Sequence, residues 1–229
     1  MNTVGAVAQQ LQARIRRQGR SDSGQLPGQR QLALELGVSR ATLREAVAML
    51  ESLGVVRSEA GRGVFIVRPG DRLRVNSAGR WRFQARYALR DVYLVRNELE
   101  ELAAALAASV VTRGGLARLR ETVEQMRTGA DRGDLVAMAE ADRAFHATLI
   151  EIAGSPMLRD LSDNIAGVVE NSRQIAFANP ERVREPIREH ERIVDALATG
   201  SSKRARMAMR AHICNAAGRV GVTLEIPGA

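Results

Sequence analysis

A mainly α-helical chain in two unequal parts is what the sequence predicts. A small basic N-terminal unit of three helices and a hairpin precedes an antiparallel bundle of six to seven helices. Three observations lead there. The 229 residues are 45% hydrophobic, enough to bury a sizeable core and more than a single small domain usually holds. From Tyr87 onward the pattern is helical almost throughout, whereas β-rich runs stand close together only around residues 55 to 67. Charge also changes near residue 70. Residues 1 to 68 hold 10 arginines against 5 acids, a net +5, and the rest holds 24 basic and 21 acidic residues, +3 over more than twice the length. The expected organisation is 1–68, a linker over 69–86, and 87–229.

In the first unit, Val7, Leu11 and Ile15 recur every four residues and predict a helix from Val4 to Arg17. The loop GRSDSGQLPG comes next. Leu32, Ala33 and Leu36 form the inward stripe of a second helix from Gln29 to Leu36, and Gly37 supplies a left-handed stop. After a very short turn Ser39 is placed to cap a third helix beginning at Arg40, whose buried face is Leu43, Val47 and Leu50. VVRS at 55 to 58 and VFIV at 64 to 67 flank EAGRG and read as a hairpin.

Composition narrows the partners. The net charge is +8 with a pI near 11.0, and Lys203 is the only lysine, so the positive charge is almost all arginine. Arginine forks suit phosphates and base edges, which puts nucleic acid first. Cys214 is the only cysteine, which excludes an intrachain disulfide. The N-terminus has no apolar signal core, and the longest apolar run, around Leu102 to Val111, is far short of a membrane span. The expectation is a soluble cytoplasmic protein without a membrane partner.

Helix, helix, tight turn, helix, hairpin is the order of a winged helix-turn-helix, whose third helix enters the major groove. Arg40 and Arg44 lie one turn apart at the start of that helix beside Thr42, where forked donors reach guanine O6 and N7 or grip the backbone. The stretch LPGQRQLALELGVSRATLREAVAMLESLGVV, with GRGVFIV after it, resembles the DNA-binding domain of GntR-type bacterial transcription regulators over residues 4 to 67. The resemblance implies DNA contacts from Arg30, Ser39, Arg40, Thr42 and Arg44, with Gly61 at the wing entering the minor groove. Ala41 departs from the pattern, since several relatives have a hydroxyl residue there.

Residues 68 to 86 lack periodicity and read as the linker, with Trp81 as its anchor. Helices are then expected over 87–112, 115–129, 133–153, 157–178, 181–199 and 202–222, with breaks at glycine, proline and polar clusters. There are three histidines. Asp142 and His146 are four apart and project from one helical face, while His190 and His212 fall on the last two helices. A carboxylate and three imidazoles suit zinc, nickel, manganese or iron(II), with positions left open for water or a ligand. An ordinary set of polar surface residues fits the spacing as well.

ADRAFH, REHERIVDAL and MRAHI resemble the metal-binding segments of the FCD effector domain found in the FadR subfamily. The resemblance implies Asp142, His146, His190 and His212 as ligands of a divalent metal ion, zinc first. It also implies a pocket for a small carboxylate or sugar acid, with Arg96 pairing the effector's carboxylate. Read on the helix alone, Arg96 instead forms an i, i+4 ion pair with Glu100 on a solvated face. Cys214 reads as a small buried hydrophobe rather than a fifth ligand.

The expected function is therefore a homodimeric transcription regulator, a repressor by the family's commoner behaviour, that binds a short palindromic operator in double-stranded DNA under control of the acid. One alternative makes the metal itself the signal. Another is a metal-dependent hydrolase, since open coordination can activate water. No nucleophile motif accompanies the site and no acid beyond Asp142 stands as a general base, so an enzyme is not the expectation.

Overall fold

A computed structural model describes residues 3–18, 24–68, 81–179 and 182–225. Three helices open the chain: α1 (Val4–Gln18), α2 (Gln29–Leu36) and α3 (Arg40–Ser52). They form where apolar residues recur at helical spacing, and Val7, Leu11, Leu32, Leu43, Val47 and Leu50 meet in one buried centre. The turn between α2 and α3 is built by two residues. Gly37 sits at φ 62°, a left-handed value that glycine adopts without a Cβ penalty. Ser39 then accepts from the Thr42 backbone N–H at 3.0 Å, satisfying a donor left over at the start of α3.

The strands are β1 (Val56–Glu59) and β2 (Gly63–Ile66), antiparallel with Val56 opposite Ile66 and Glu59 opposite Gly63. Each lies one residue nearer the turn than the apolar runs suggest, because Val55 is spent closing α3 through its N–H to the Leu50 carbonyl at 2.8 Å. The segment before α2 adds a partial third strand. Leu26 donates to Val64 at 2.8 Å, Ile66 donates to Gly24 at 2.7 Å, and Gln25 bridges Phe65.

Seven helices complete the chain: α4 (Leu89–Val110), α5 (Arg113–Asp131), α6 (Leu135–Ala153), α7 (Pro156–Asn164), α8 (Ala166–Ala176), α9 (Glu185–Ala198) and α10 (Ser202–Arg219). Thr112, Asp134, Ser155 and Ser201 cap α5, α6, α7 and α10 with their side chains. Alanine enrichment has a packing consequence. Ala103, Ala104 and Ala107 of α4 and Ala205 and Ala216 of α10 are buried, which lets these helices run close together.

The single helix expected over 157–178 is two helices. Ile165 leaves helical geometry at φ −104°, ψ 5°, and the Asn164 side chain donates to the Asp160 carbonyl at 2.8 Å, competing with the backbone ladder. The helix expected from 181 starts at Glu185 after a turn from residue 182. The linker expected over 69–86 lies outside the described residues for 69–80. At its end Trp81 is buried, as the anchor reading requires, donating Nε1–H to the Tyr87 carbonyl at 2.8 Å. Cys214 is only half-buried, a correction to its reading as a buried hydrophobe, since it stands on α10 between buried Ile213 and exposed Asn215 at the edge of the packed face.

Two polar joints tie the first three helices to the bundle. Gln12 of α1 donates to the Gly133 carbonyl at 3.1 Å and accepts from the Val136 N–H at 3.1 Å. Asn171 of α8 donates to Ser52 Oγ, at the end of α3, at 2.7 Å and accepts from the Arg82 N–H at 3.1 Å. No described helix is long and apolar enough to cross a membrane.

Candidate functional site

Arg40, Arg44 and Arg30 are exposed, and none of the three guanidinium groups pairs with a described residue. Arg40 and Arg44 point from the first turn and a half of α3, the positively polarised end of the helix. Thr42 is half-buried and shares a 2.8 Å hydrogen bond with Ser39 Oγ, so both hydroxyls stand at that same end while serving the cap. Gly61 lies at the hairpin tip with φ 70° and nothing within 4 Å of where a Cβ would stand. Both the handedness and the open space favour glycine where a backbone must approach another surface closely.

The other expected cluster comes together in the bundle interior. Asp142 and His146 come from α6, His190 from α9 and His212 from α10, and one ligand atom of each lies within 4.8 Å of every other. All four are at least 97% buried. His190 Nε2 is 3.4 Å from His146 Nε2 and 3.4 Å from Asp142 Oδ1. Donors held about 2.1 Å from a tetrahedral ion stand about 3.4 Å apart, so the spacing suits a metal.

The protons support the same reading. His190 Nδ1 is 2.7 Å from the Pro186 carbonyl and His212 Nδ1 is 2.8 Å from Glu189 Oε2. Both acceptors lack hydrogen, so each Nδ1 carries the proton and each Nε2 presents a lone pair. His146 Nδ1 lies 2.7 Å from Glu100 Oε2, which turns its Nε2 inward too. His212 Nε2 and Asp142 Oδ2 are buried without a hydrogen-bond partner. Converging buried lone pairs with no donor among them are costly unless a cation satisfies them, and this cluster can hold a metal ion.

Electrostatics keep these groups ready to bind one. Burial, together with the Arg173 charge, holds His146 below its ordinary pKa of 6.5 despite Glu100 and Asp142. Burial and the two neighbouring imidazoles hold His190 well below it. Both rings are therefore neutral, the form that ligates metal. Burial alone would raise Glu100, but His146, Arg96 and Arg173 outweigh it and keep the carboxyl ionised. Glu189 likewise stays ionised against burial through hydrogen bonds from His212 and from Arg219, whose two nitrogens stand at 2.8 and 3.0 Å.

A cleft of about 570 Å³ opens beside the cluster, with Arg96, Glu100, His146 and Arg173 on its floor. Arg96 does pair with Glu100 at 3.0 Å, but it is 1% exposed, so the solvated face is corrected. Its Nη1 also donates to Ser172 Oγ at 3.1 Å. The helical pattern of the sequence did not single out Glu189 or Arg173, and it gave Glu100 only as the partner of Arg96. Glu189 adjoins His190 and by helical geometry turns away from it, and only the packing of α10 against α9 makes it the partner of His212. Arg173 stands 3.2 Å from Glu100 and 3.8 Å from Asp142, a contact that depends on the break before α8.

Comparison with known proteins places both halves. Residues 3–66 match the family of bacterial regulatory proteins called the gntR family, and residues 91–215 match the FCD domain. A putative L-lactate dehydrogenase operon regulatory protein of Escherichia coli (strain K12) is 30% identical over 223 residues, covering 90% of this chain and 82% of that protein. The HTH-type transcriptional regulator LutR of Bacillus subtilis (strain 168) is 28% identical over 193 residues, 80% of this chain and 85% of that one. The solved structure of E. coli McbR/YncC aligns with a TM-score of 0.54 at 19% identity, covering 96% of this chain and 98% of that one, a likeness of fold.

Proposed function

Because the chain belongs to the GntR family of bacterial regulatory proteins and carries an FCD domain, and so is a DNA-binding transcription regulator rather than an enzyme, we propose how it is controlled. It is a homodimeric repressor, acting in the cytoplasm, whose operator affinity is set by a small carboxylate bound beside a divalent metal ion. Asp142, His146, His190 and His212 hold the ion, zinc first among those such donors accept. The acid would lie beside these four residues, against Arg96 and Arg173. The bound ion supplies positive charge for the carboxylate, while the chain's own residues orient and enclose it.

One observation carries this reading: four buried lone-pair donors converge beside an open cleft whose floor holds two arginines. On the DNA side, exposed Arg30, Arg40 and Arg44, which pair with no described residue, form the operator-reading face together with Ser39, Thr42 and Gly61. The dimer is supported by Val95, Leu102, Leu106 and Val110, which stand exposed along one side of α4.

A thermal-shift screen of zinc-loaded and metal-stripped protein against small carboxylic and sugar acids tests the proposal. L-lactate heads the panel because of the operon named for the E. coli relative. An acid at a hundred times its dissociation constant stabilises the fold by about 2.7 kcal/mol, and stripping the metal removes that shift. An acid response that persists without metal, or no response with it, rejects the proposal. For DNA, Arg40→Ala and Arg44→Ala each abolish specific operator binding at fixed salt. Survival of specific binding in both rejects the reading face.

A further inference from the structure

Beyond Arg96, Glu100, His146 and Arg173 the cleft also carries a group of branched aliphatic side chains. Leu99 of α4, Ile150 of α6, Ile165 at the α7–α8 break and Val169 of α8 line it, with Ala147 and Ala166, and the charged Arg143, Glu151, Arg159, Asp163 and Glu170 share the lining. A three-carbon hydroxy acid has six heavy atoms. Seated on Arg96, Arg173 and the metal cluster it fills only that part of the cleft and leaves those aliphatic side chains wet. A cavity near 570 Å³ lies in the range used by ligands of drug size, and its walls present four branched aliphatic side chains to whatever fills it.

We propose that the effector is a carboxylic acid with an apolar body, an aliphatic chain of about six carbons or an aromatic ring, rather than a two- or three-carbon acid. Its carboxylate end goes to the Arg96, Arg173 and metal-cluster floor, and its body lies between α4, α6 and α8. This inference rests on the carboxylate reading of the site and narrows it.

The physical signature is a dependence on tail length at constant head group. Each methylene moved from water to an apolar wall tightens binding roughly fourfold. L-lactate, L-2-hydroxyhexanoate and L-3-phenyllactate share one 2-hydroxy acid head and differ only in the tail it carries. The experiment measures binding of these three acids to the full-length zinc-loaded protein by calorimetry, alongside Ala147→Phe, which places a ring in the cleft from an exposed position on α6.

The expected result is that the two larger acids bind about tenfold or more tighter than L-lactate. In Ala147→Phe that advantage disappears while L-lactate affinity stays within about threefold. Equal or tighter binding of L-lactate to the unchanged protein overturns the apolar-body inference and leaves the carboxylate site standing. An advantage for the larger acids that survives Ala147→Phe overturns it too, since the tail then lies elsewhere. Failure of all three acids to bind the zinc-loaded protein removes the carboxylate reading and this inference with it.

Discussion

Glu189 does more at its one position than its place in the sequence suggests. Its two oxygens receive His212 Nδ1, Asn215 Nδ2 and both terminal nitrogens of Arg219. It thereby fixes the tautomer of a metal-ligand candidate and neutralises a buried guanidinium. Partners of this kind change metal affinity by about 10- to 100-fold when removed. Glu189→Gln keeps the shape and removes the charge, so zinc affinity by chelator competition is expected to fall by that factor with the fold intact; unchanged affinity would separate Glu189 from the metal. The four ligand candidates themselves were legible, because Asp and His four apart on one helix face the same way. Their outer partners were not, because a carbonyl such as that of Pro186 and a neighbour such as Glu189 acquire their roles only from packing. Acid tests the same buried groups. His146 and His190 are held below 6.5 in the fold, so the unfolded chain takes up protons that the folded one refuses as pH drops through about 6.5. Glu100 and Glu189, held ionised below their ordinary 4.5, extend the loss to lower pH. The urea midpoint of metal-stripped protein is expected to fall steadily from pH 7.5 to 5.5, and a flat midpoint over that range would mean the imidazoles are not buried neutral.

At the scale of elements, α3 depends on its first residue. Ser39 accepts from the Thr42 N–H and bonds the Thr42 hydroxyl, so one side chain both starts the helix and sets the end that carries Arg40 and Arg44. Ser39→Ala is expected to cost about 1 kcal/mol of stability, read as a lower urea midpoint, and to weaken operator binding as the first turn frays. A stability loss with operator affinity unchanged would detach the cap from DNA reading. The first three helices were legible nearly to the residue because Gly37 and Ser39 punctuate them with local chemistry. The break at Ile165 was not, because apolar spacing continues across it and the interruption rests on a side-chain bond from Asn164 to the Asp160 carbonyl. The third, partial strand at Gln25 escaped for a similar reason: pairing with Phe65 is a long-range event in a segment rich in turn residues. The cleft inherits that break, since α8 supplies Val169 and Arg173 to it.

For the whole molecule the question is how a change in the cleft reaches α3, and three consecutive residues of α8 provide a route. Arg173 faces the centre, at 3.2 Å from Glu100, and Ser172 accepts from Arg96 at 3.1 Å while its carbonyl accepts from the Tyr93 hydroxyl at 3.0 Å. Asn171 faces the opposite way and holds Ser52 at the end of α3. A ligand that paired with Arg173 would compete with Glu100 for that guanidinium and bias the seat of α8, and Asn171 is the point where such a shift would meet α3, the helix proposed to read DNA. Coupling of this kind is a free energy shared between two sites, typically a 5- to 150-fold change in affinity, and it is reciprocal. Asn171→Ala removes the joint without touching the cleft or the reading face. The expected outcome is operator affinity without acid within about threefold of the unchanged protein, acid affinity likewise, and an effect of acid on operator binding reduced toward none. Ser52→Ala breaks the same joint from the other side, so the double variant is expected to lose no more coupling than either single one. Full coupling retained in Asn171→Ala, measured by operator titration with and without the acid that shifts the zinc-loaded protein, would move the signal to the other joint, where Gln12 of α1 holds Gly133 and Val136 at the head of α6.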